Sequence, residues 1–233
     1  MKFGDGKLLV TGAGGFIGRR LVERALWRGV PVRGLERDPV RAATLARPGV
    51  EVVTGDVGDV EVAARALEGV GAVVHAAALV REGGTLAEFR PVNVEASATL
   101  CRAARRAGCT RFVHVSSVMV YGFSYPPDVD ESGPLRGENN PYCQTKIEGE
   151  LAVNCVHEPP DFEVVVVRPG DVYGPGSGPW VVRPLELMRR GRFLLPDGGH
   201  GTFNHVYIDN LVDALELALD ARVPGQTFNV TDG

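Results

Sequence analysis

Short apolar strand-like runs alternate with helix-like stretches along most of this chain, and no other feature narrows its fold so far. Runs at residues 8–10, 32–35, 50–54, 72–75, 111–116 and 164–167 read as six strands. Helical stretches fall among them around residues 17–28, 40–46 and 60–67, with a longer one at 92–107. Strand–helix–strand units of this kind close right-handed and build a parallel sheet covered by helices on both faces. Four consecutive valines at 164–167 fit such a sheet, because a strand buried on both sides needs no polar face. The expectation is an α/β protein with a doubly wound parallel sheet.

The second half is looser. Residues 121–140 form a loop rich in Pro, Gly, Asp and Glu, of a length that is often functional. Beyond Arg168 come a turn-rich crossing at 174–179, helices around 181–190 and 208–220, and a last strand at 227–230. Residues 1–168 are therefore expected to form the sheet domain and 169–233 a small C-terminal lobe interleaved with it. That lobe should face the strand ends, where such folds bind ligands. Because the pattern stops just after its last strand, the lobe is expected to be reduced or partial.

Of the 233 residues, 44% are apolar, enough for a sizeable core, and the net charge of −4 leaves no electrostatic footprint for nucleic acid or an anionic membrane. Clusters such as Arg102, Arg105 and Arg106 read as solvated helix faces. Cys101, Cys109, Cys143 and Cys155 have neither metal-site spacing nor disulfide-scaffold density, which points to reduced thiols in a cytoplasmic protein. Neither a signal-like apolar core near residue 1 nor a bilayer-length apolar run is present. No metal, membrane or nucleic-acid partner is expected.

Thr11-Gly12-Ala13-Gly14-Gly15-Phe16-Ile17-Gly18 joins the first strand to the first helix. Small residues there allow a tight turn and close approach of a pyrophosphate, whose charge meets the free N–H groups of the helix beginning near Phe16. Gly12, Gly15, Phe16, Ile17 and Gly18 are thus expected to hold a dinucleotide. Glu36 ends the second strand 24 residues after Gly12, where a carboxylate can accept both ribose hydroxyls. It favours NAD; Arg37 beside it argues for NADP, since a guanidinium binds a 2′-phosphate. Asp56, after the third strand, can accept from the adenine amine or simply close a turn. Ala76-Ala77-Ala78 follows the fourth strand and is small enough for close approach of cofactor or of packing neighbours.

Tyr142 and Lys146 lie four residues apart, on one face of a helix, and Ser117 precedes Tyr142 by 25 residues at the end of the fifth strand. A free phenol titrates near ~10. A neighbouring ammonium favours the phenolate and brings proton exchange into a useful range. Hydroxyl, phenol and ammonium beside a dinucleotide site are equipment for moving a hydride and a proton together. Cys143 lacks a base partner and reads as a packed thiol. His75 reads as a satisfied strand histidine.

These segments, with Gly55-Asp56-Val57, His75-Ala76-Ala77-Ala78, Val115-Ser116-Ser117-Val118-Met119-Val120-Tyr121-Gly122, Arg168-Pro169-Gly170-Asp171-Val172-Tyr173-Gly174-Pro175 and His205-Val206-Tyr207-Ile208-Asp209-Asn210, resemble the extended short-chain dehydrogenase/reductase family in order and over nearly the whole chain. The family includes nucleotide-sugar epimerases and 3β-hydroxysteroid dehydrogenase-like enzymes. The resemblance implies a Rossmann-type sheet and Tyr142 as the general acid/base. Ser117 would donate to the substrate oxygen, and Lys146 would bind the nicotinamide ribose and lower the phenol's pKa. It also places Val57, Asn93 and Pro169 beside the cofactor; read alone, Asn93 is equally a helix cap or turn residue. A homodimer through the helices at 92–107 and 141–156 is implied as well.

Dehydratases of the family carry an Asp-Glu pair after the catalytic serine or threonine, where this chain has Val118-Met119, so elimination is not expected. Asp171 stands where epimerases have asparagine, and Phe203 about where they have arginine. Both changes oppose a diphosphate. The expected reaction is interconversion of a secondary alcohol and a ketone with NAD, NADP being the alternative. A sugar-nucleotide 4-epimerase is the second reading, and a non-catalytic cofactor-binding protein the third.

Overall fold

A computed structural model describes residues 6–123, 127–201, 203–220, 223 and 225–233. Its first half runs β1 (Lys7–Thr11), α1 (Phe16–Trp27), β2 (Val32–Glu36), α2 (Pro39–Leu45), β3 (Val50–Thr54), α3 (Val60–Leu67), β4 (Val70–His75), α4 (Leu86–Arg90), α5 (Ala96–Arg106) and β5 (Arg111–Val115). There follow α6 (Pro141–Asn154), β6 (Glu163–Pro169), β7 (Asp171–Tyr173), α7 (Arg183–Arg189), β8 (His205–Tyr207), α8 (Ile208–Asp220) and β9 (Thr227–Val230). Seven strands form one parallel sheet in the order β3-β2-β1-β4-β5-β6-β9. The order reverses between β1 and β4, and that switch point opens a crevice at the strands' carboxyl ends.

Alternate side chains of each strand feed two separate cores. Leu8, Val10, Val113 and Val165 pack with Leu21, Val22, Leu211 and Leu215 of α1 and α8. Leu9, Val73, Phe112 and Val164 pack with Ala63, Leu67, Leu100 and Val153 of α3, α5 and α6. The central stretches of β1, β4 and β6 are apolar because both of their faces are covered. Polar residues set the helix ends. Asp38, Asp59 and Asn140 each accept two backbone N–H groups at the starts of α2, α3 and α6. Arg33 donates to the carbonyls of Arg65, Ala66 and Glu68, closing the C-terminus of α3.

Two features depart from the sequence reading. The helix expected over 92–107 begins earlier, as α4, and passes through a π-type turn at Pro91–Glu95 before α5. Pro91 has no N–H to give, so the ladder slips there into the wider turn. A second, two-stranded parallel sheet, β7 with β8, stands apart from the main one. Its three-residue strands are too short to show a period. A π-type turn at Gly178–Val182 likewise precedes α7, and no residue of either is buried.

Candidate active site

The glycine turn packs face to face with the end of β4. Gly12 has φ +62°, and a Cβ there would lie 2.9 Å from the backbone of Ala77. At Gly18 a Cβ would strike the Gly12 carbonyl. Glycine at these positions is what lets α1 start so close to β1 and β4. α1 starts after Gly15 with no side-chain cap, leaving its first N–H groups free for an anion. Beside it lies a cleft of about 180 Å³ lined by Gly12, Gly15, Glu36, Arg37, Asp56, Val57, Ala76, Ala77 and Ala78. Most of the residues expected to hold a cofactor are thereby brought together, and they fit a dinucleotide: an uncapped N-terminus for the pyrophosphate and a carboxylate at the ribose end.

Glu36 is buried, and its carboxylate accepts from Gly14 N at 2.9 Å and Asp38 N at 3.1 Å. It braces the glycine turn, while each oxygen keeps a further acceptor site. Arg37 reaches across to Asp56 at 3.4 Å, and Asp56 also accepts from Gly58 N at 2.8 Å. Phe16 borders the neighbouring cavity with Gly14 and Gly15, and Ile17 leans on the core. Pro169 ends β6, in register with Val230. Asn93 sits in the π-type turn with its amide spent on Leu79 N and O and on Thr145 Oγ1, at 2.7, 3.1 and 3.2 Å. It fastens the segment after β4 to α6.

His75 is fully buried and satisfied, bonding Thr11 Oγ1 at 2.7 Å and Ser97 Oγ at 2.8 Å. Burial drives its pKa down to about 3, with the Lys146 charge adding to the effect, so the ring stays neutral. His114, on the neighbouring strand 5.5 Å away, is depressed further by burial, then by Lys146 and His75, and neither ring nitrogen has a partner among the described residues.

Ser117 follows β5 and starts a short 3-10 turn, Val118–Tyr121, accepting from Met119 N at 3.2 Å. Its hydroxyl favours ionisation of Tyr142, which lies in the first turn of α6. One turn on, the buried Lys146 donates from Nζ to the carbonyl of Val115 at 2.9 Å, with Nζ 5.9 Å from the Tyr142 ring centre. Ser117 follows β5 while Tyr142 and Lys146 stand on successive turns of α6, but the phenol is not acidified. Burial pushes Tyr142 up to about 12, against a downward pull from the Ser117 hydroxyl and with a further upward push from Cys143 and Asp171. Lys146 donates its hydrogen bond to a backbone carbonyl, and burial lowers its own pKa to about 8, with Glu150 opposing. Desolvation outweighs the cation here. Sequence reasoning missed Glu150, which lies four residues beyond Lys146 and pairs with Arg168; that spacing was the available signal.

A parallel sheet with a glycine turn at its switch point, and a hydroxyl, a phenol and an ammonium on the end of β5 and on α6, fit the short-chain dehydrogenase/reductase class. The chain belongs to the NAD-dependent epimerase/dehydratase family, whose model matches residues 8–231. It is 32% identical over 229 residues to a 4-hydroxy-2-methyl-3-oxo-4-farnesyl-3,4-dihydroquinoline-1-oxide ketoreductase of Stigmatella aurantiaca, covering 97% of this chain and 68% of that one. A 3β-hydroxysteroid dehydrogenase/Δ5→4-isomerase of Mycobacterium tuberculosis is 31% identical over 242 residues, covering 97% and 65%. The chain thus spans about two thirds of the length of these curated relatives. A dTDP-glucose 4,6-dehydratase of Streptomyces venezuelae, crystallised with NAD and TYD, superposes with a TM-score of 0.83 at 31% identity, covering 96% of this chain and 75% of its own. Among the described residues no helix is long and apolar enough to cross a membrane.

Proposed function

We propose that the protein interconverts a secondary alcohol and a ketone, with NAD as the hydride carrier. The observation that carries this reading is the grouping of Ser117, just after β5, with Tyr142 and Lys146 on successive turns of α6, Lys146 Nζ bonded to the Val115 carbonyl at 2.9 Å and 5.9 Å from the phenol ring centre, in a chain that also carries the glycine-lined cleft. When bound, the nicotinamide supplies or accepts the hydride. Tyr142 exchanges the hydroxyl proton, and Ser117 holds the substrate oxygen in line with the phenol. Lys146 holds the nicotinamide ribose. Glu36 selects NAD, because a 2′-phosphate would face a buried carboxylate; the exposed Arg37 is already engaged with Asp56. Val118-Met119 cannot exchange protons, which argues against elimination. The likeness to a ketoreductase and a hydroxysteroid dehydrogenase supports an alcohol or ketone substrate.

The second reading, a sugar-nucleotide 4-epimerase, draws on the likeness to a nucleotide-sugar enzyme crystallised with NAD. A cofactor-absorbance screen of alcohols, ketones and sugar nucleotides, with NAD and NADP in parallel, decides between them. Net NADH turnover on a ketone supports the first reading; substrate isomerisation without it supports the second. Residues 169–233, which contain β7, α7 and β8, are taken as the substrate lobe. The resemblance to the extended short-chain dehydrogenase/reductase family also supports a homodimer through α5 and α6, and Leu151 of α6 is exposed. Four free thiols are in keeping with the cytoplasm.

A further inference from the structure

We propose that Glu150 is a positioning residue for this reaction: clamped by Arg168 and Ser116 one turn beyond Lys146, it keeps the Lys146 side chain cationic and seated at the end of β5. The role rests on the proposed chemistry, but its physical basis does not. Two consecutive residues at the end of β5 each hold one residue of α6. The Val115 carbonyl accepts from Lys146 Nζ at 2.9 Å, and Ser116 Oγ donates to Glu150 Oε1. Helical spacing puts Lys146 and Glu150 on one face, and their exposures are 4% and 3%.

The carboxylate is fixed from a third side by β6. Arg168 grips it with two bonds, Nε to Oε1 at 2.9 Å and Nη2 to Oε2 at 2.6 Å. The other guanidinium nitrogen donates to Tyr121 Oη at 2.7 Å and to the Glu131 carbonyl at 3.1 Å. Tyr121 in turn donates to Asn229 of β9 at 2.8 Å. A charge gripped so firmly acts on its neighbour from an unchanging position, in a medium that screens poorly.

Among the described residues, the groups facing Lys146 leave Glu150 alone in this role. His75 of β4 and His114 of β5 are neutral, and Tyr142 and Cys143 of α6 hold their protons. Arg168 of β6 is the partner of Glu150, and Asp171 of β7 acts on Tyr142. Against the burial that drives Lys146 towards neutrality, Glu150 is the opposing charge.

The test is a titration of Lys146 Nζ by NMR in the cofactor-free, nitrogen-labelled protein, alongside the pH profile of kcat. In Glu150→Gln the Lys146 midpoint should fall by about one unit, and the alkaline fall-off of kcat should move down with it while KM for substrate holds. Glu150→Asp, which keeps the charge, should restore the midpoint, and Arg168→Gln should not lower it. Should the lone Arg168 charge prevent folding of Glu150→Gln, the Glu150→Gln/Arg168→Gln pair leaves no buried charge uncompensated and should show the same fall. An unmoved or raised midpoint in either protein overturns the proposal. Because the titration needs no turnover, it stands apart from the proposed reaction, which fails instead if wild-type protein moves no hydride.

Discussion

Burial gives Tyr142 a high pKa, about 12, with the Ser117 hydroxyl pulling the other way, so in the cofactor-free protein the phenol keeps its proton. Ser117→Ala removes the hydroxyl that opposes burial and should push the phenol's pKa higher still. We expect kcat to fall by about 10²-fold with cofactor affinity unchanged, read from steady-state kinetics beside a fluorescence titration with NADH. Glu36→Gln tests the other end of the cleft: it removes the charge facing a 2′-phosphate, and the preference for NAD over NADP should narrow by about tenfold or more in kcat/KM. Tyr142, Lys146 and the glycine turn could be proposed from sequence because each rests on local spacing, and Ser117 because it ends the fifth strand run. The raised phenol pKa could not be, since burial is set by how α6 packs against the turns at Pro91–Glu95 and Val118–Tyr121. The same applies to Asn93, whose bonds to Leu79 and Thr145 join segments far apart in the chain.

Helix α6 carries Tyr142, Lys146 and Glu150 on successive turns, and Asn140 anchors its first turn by accepting from Tyr142 N at 2.9 Å and Cys143 N at 3.2 Å. Asn140→Ala should cost about 1 kcal/mol in urea unfolding. It should also lower kcat through fraying of the turn that bears the phenol, an effect Asn140→Asp should largely avoid. The main-sheet strands and α8 could be read from sequence because their apolar runs are uninterrupted or strongly periodic. The π-type turn at Pro91–Glu95 could not. It arises where one proline meets the packing of α6, and helical periodicity passes through it almost unchanged.

The whole molecule buries two neutral histidines, His75 and His114, at the centre of the sheet. Their folded pKa values lie below the ordinary histidine value, so between about pH 3 and 6.5 the unfolded chain binds more protons than the folded one. Stability should therefore be full above about pH 6.5 and fall by about 1.4 kcal/mol per pH unit for each histidine as the solution is acidified. Urea unfolding at stepped pH measures this slope, and His114→Leu should flatten it. The doubly wound order was legible from the alternation of elements. The β7–β8 sheet, which brings Asp171 near Tyr142, was not, because three-residue strands take their partners from the tertiary fold. The central claim, that Tyr142 moves the proton beside a bound nicotinamide, is tested most directly by single-turnover hydride transfer from NADH to a ketone found in the screen, comparing wild type with Tyr142→Phe. A loss of about 10³-fold or more with NADH affinity intact is predicted; a rate within a few-fold of wild type would contradict it.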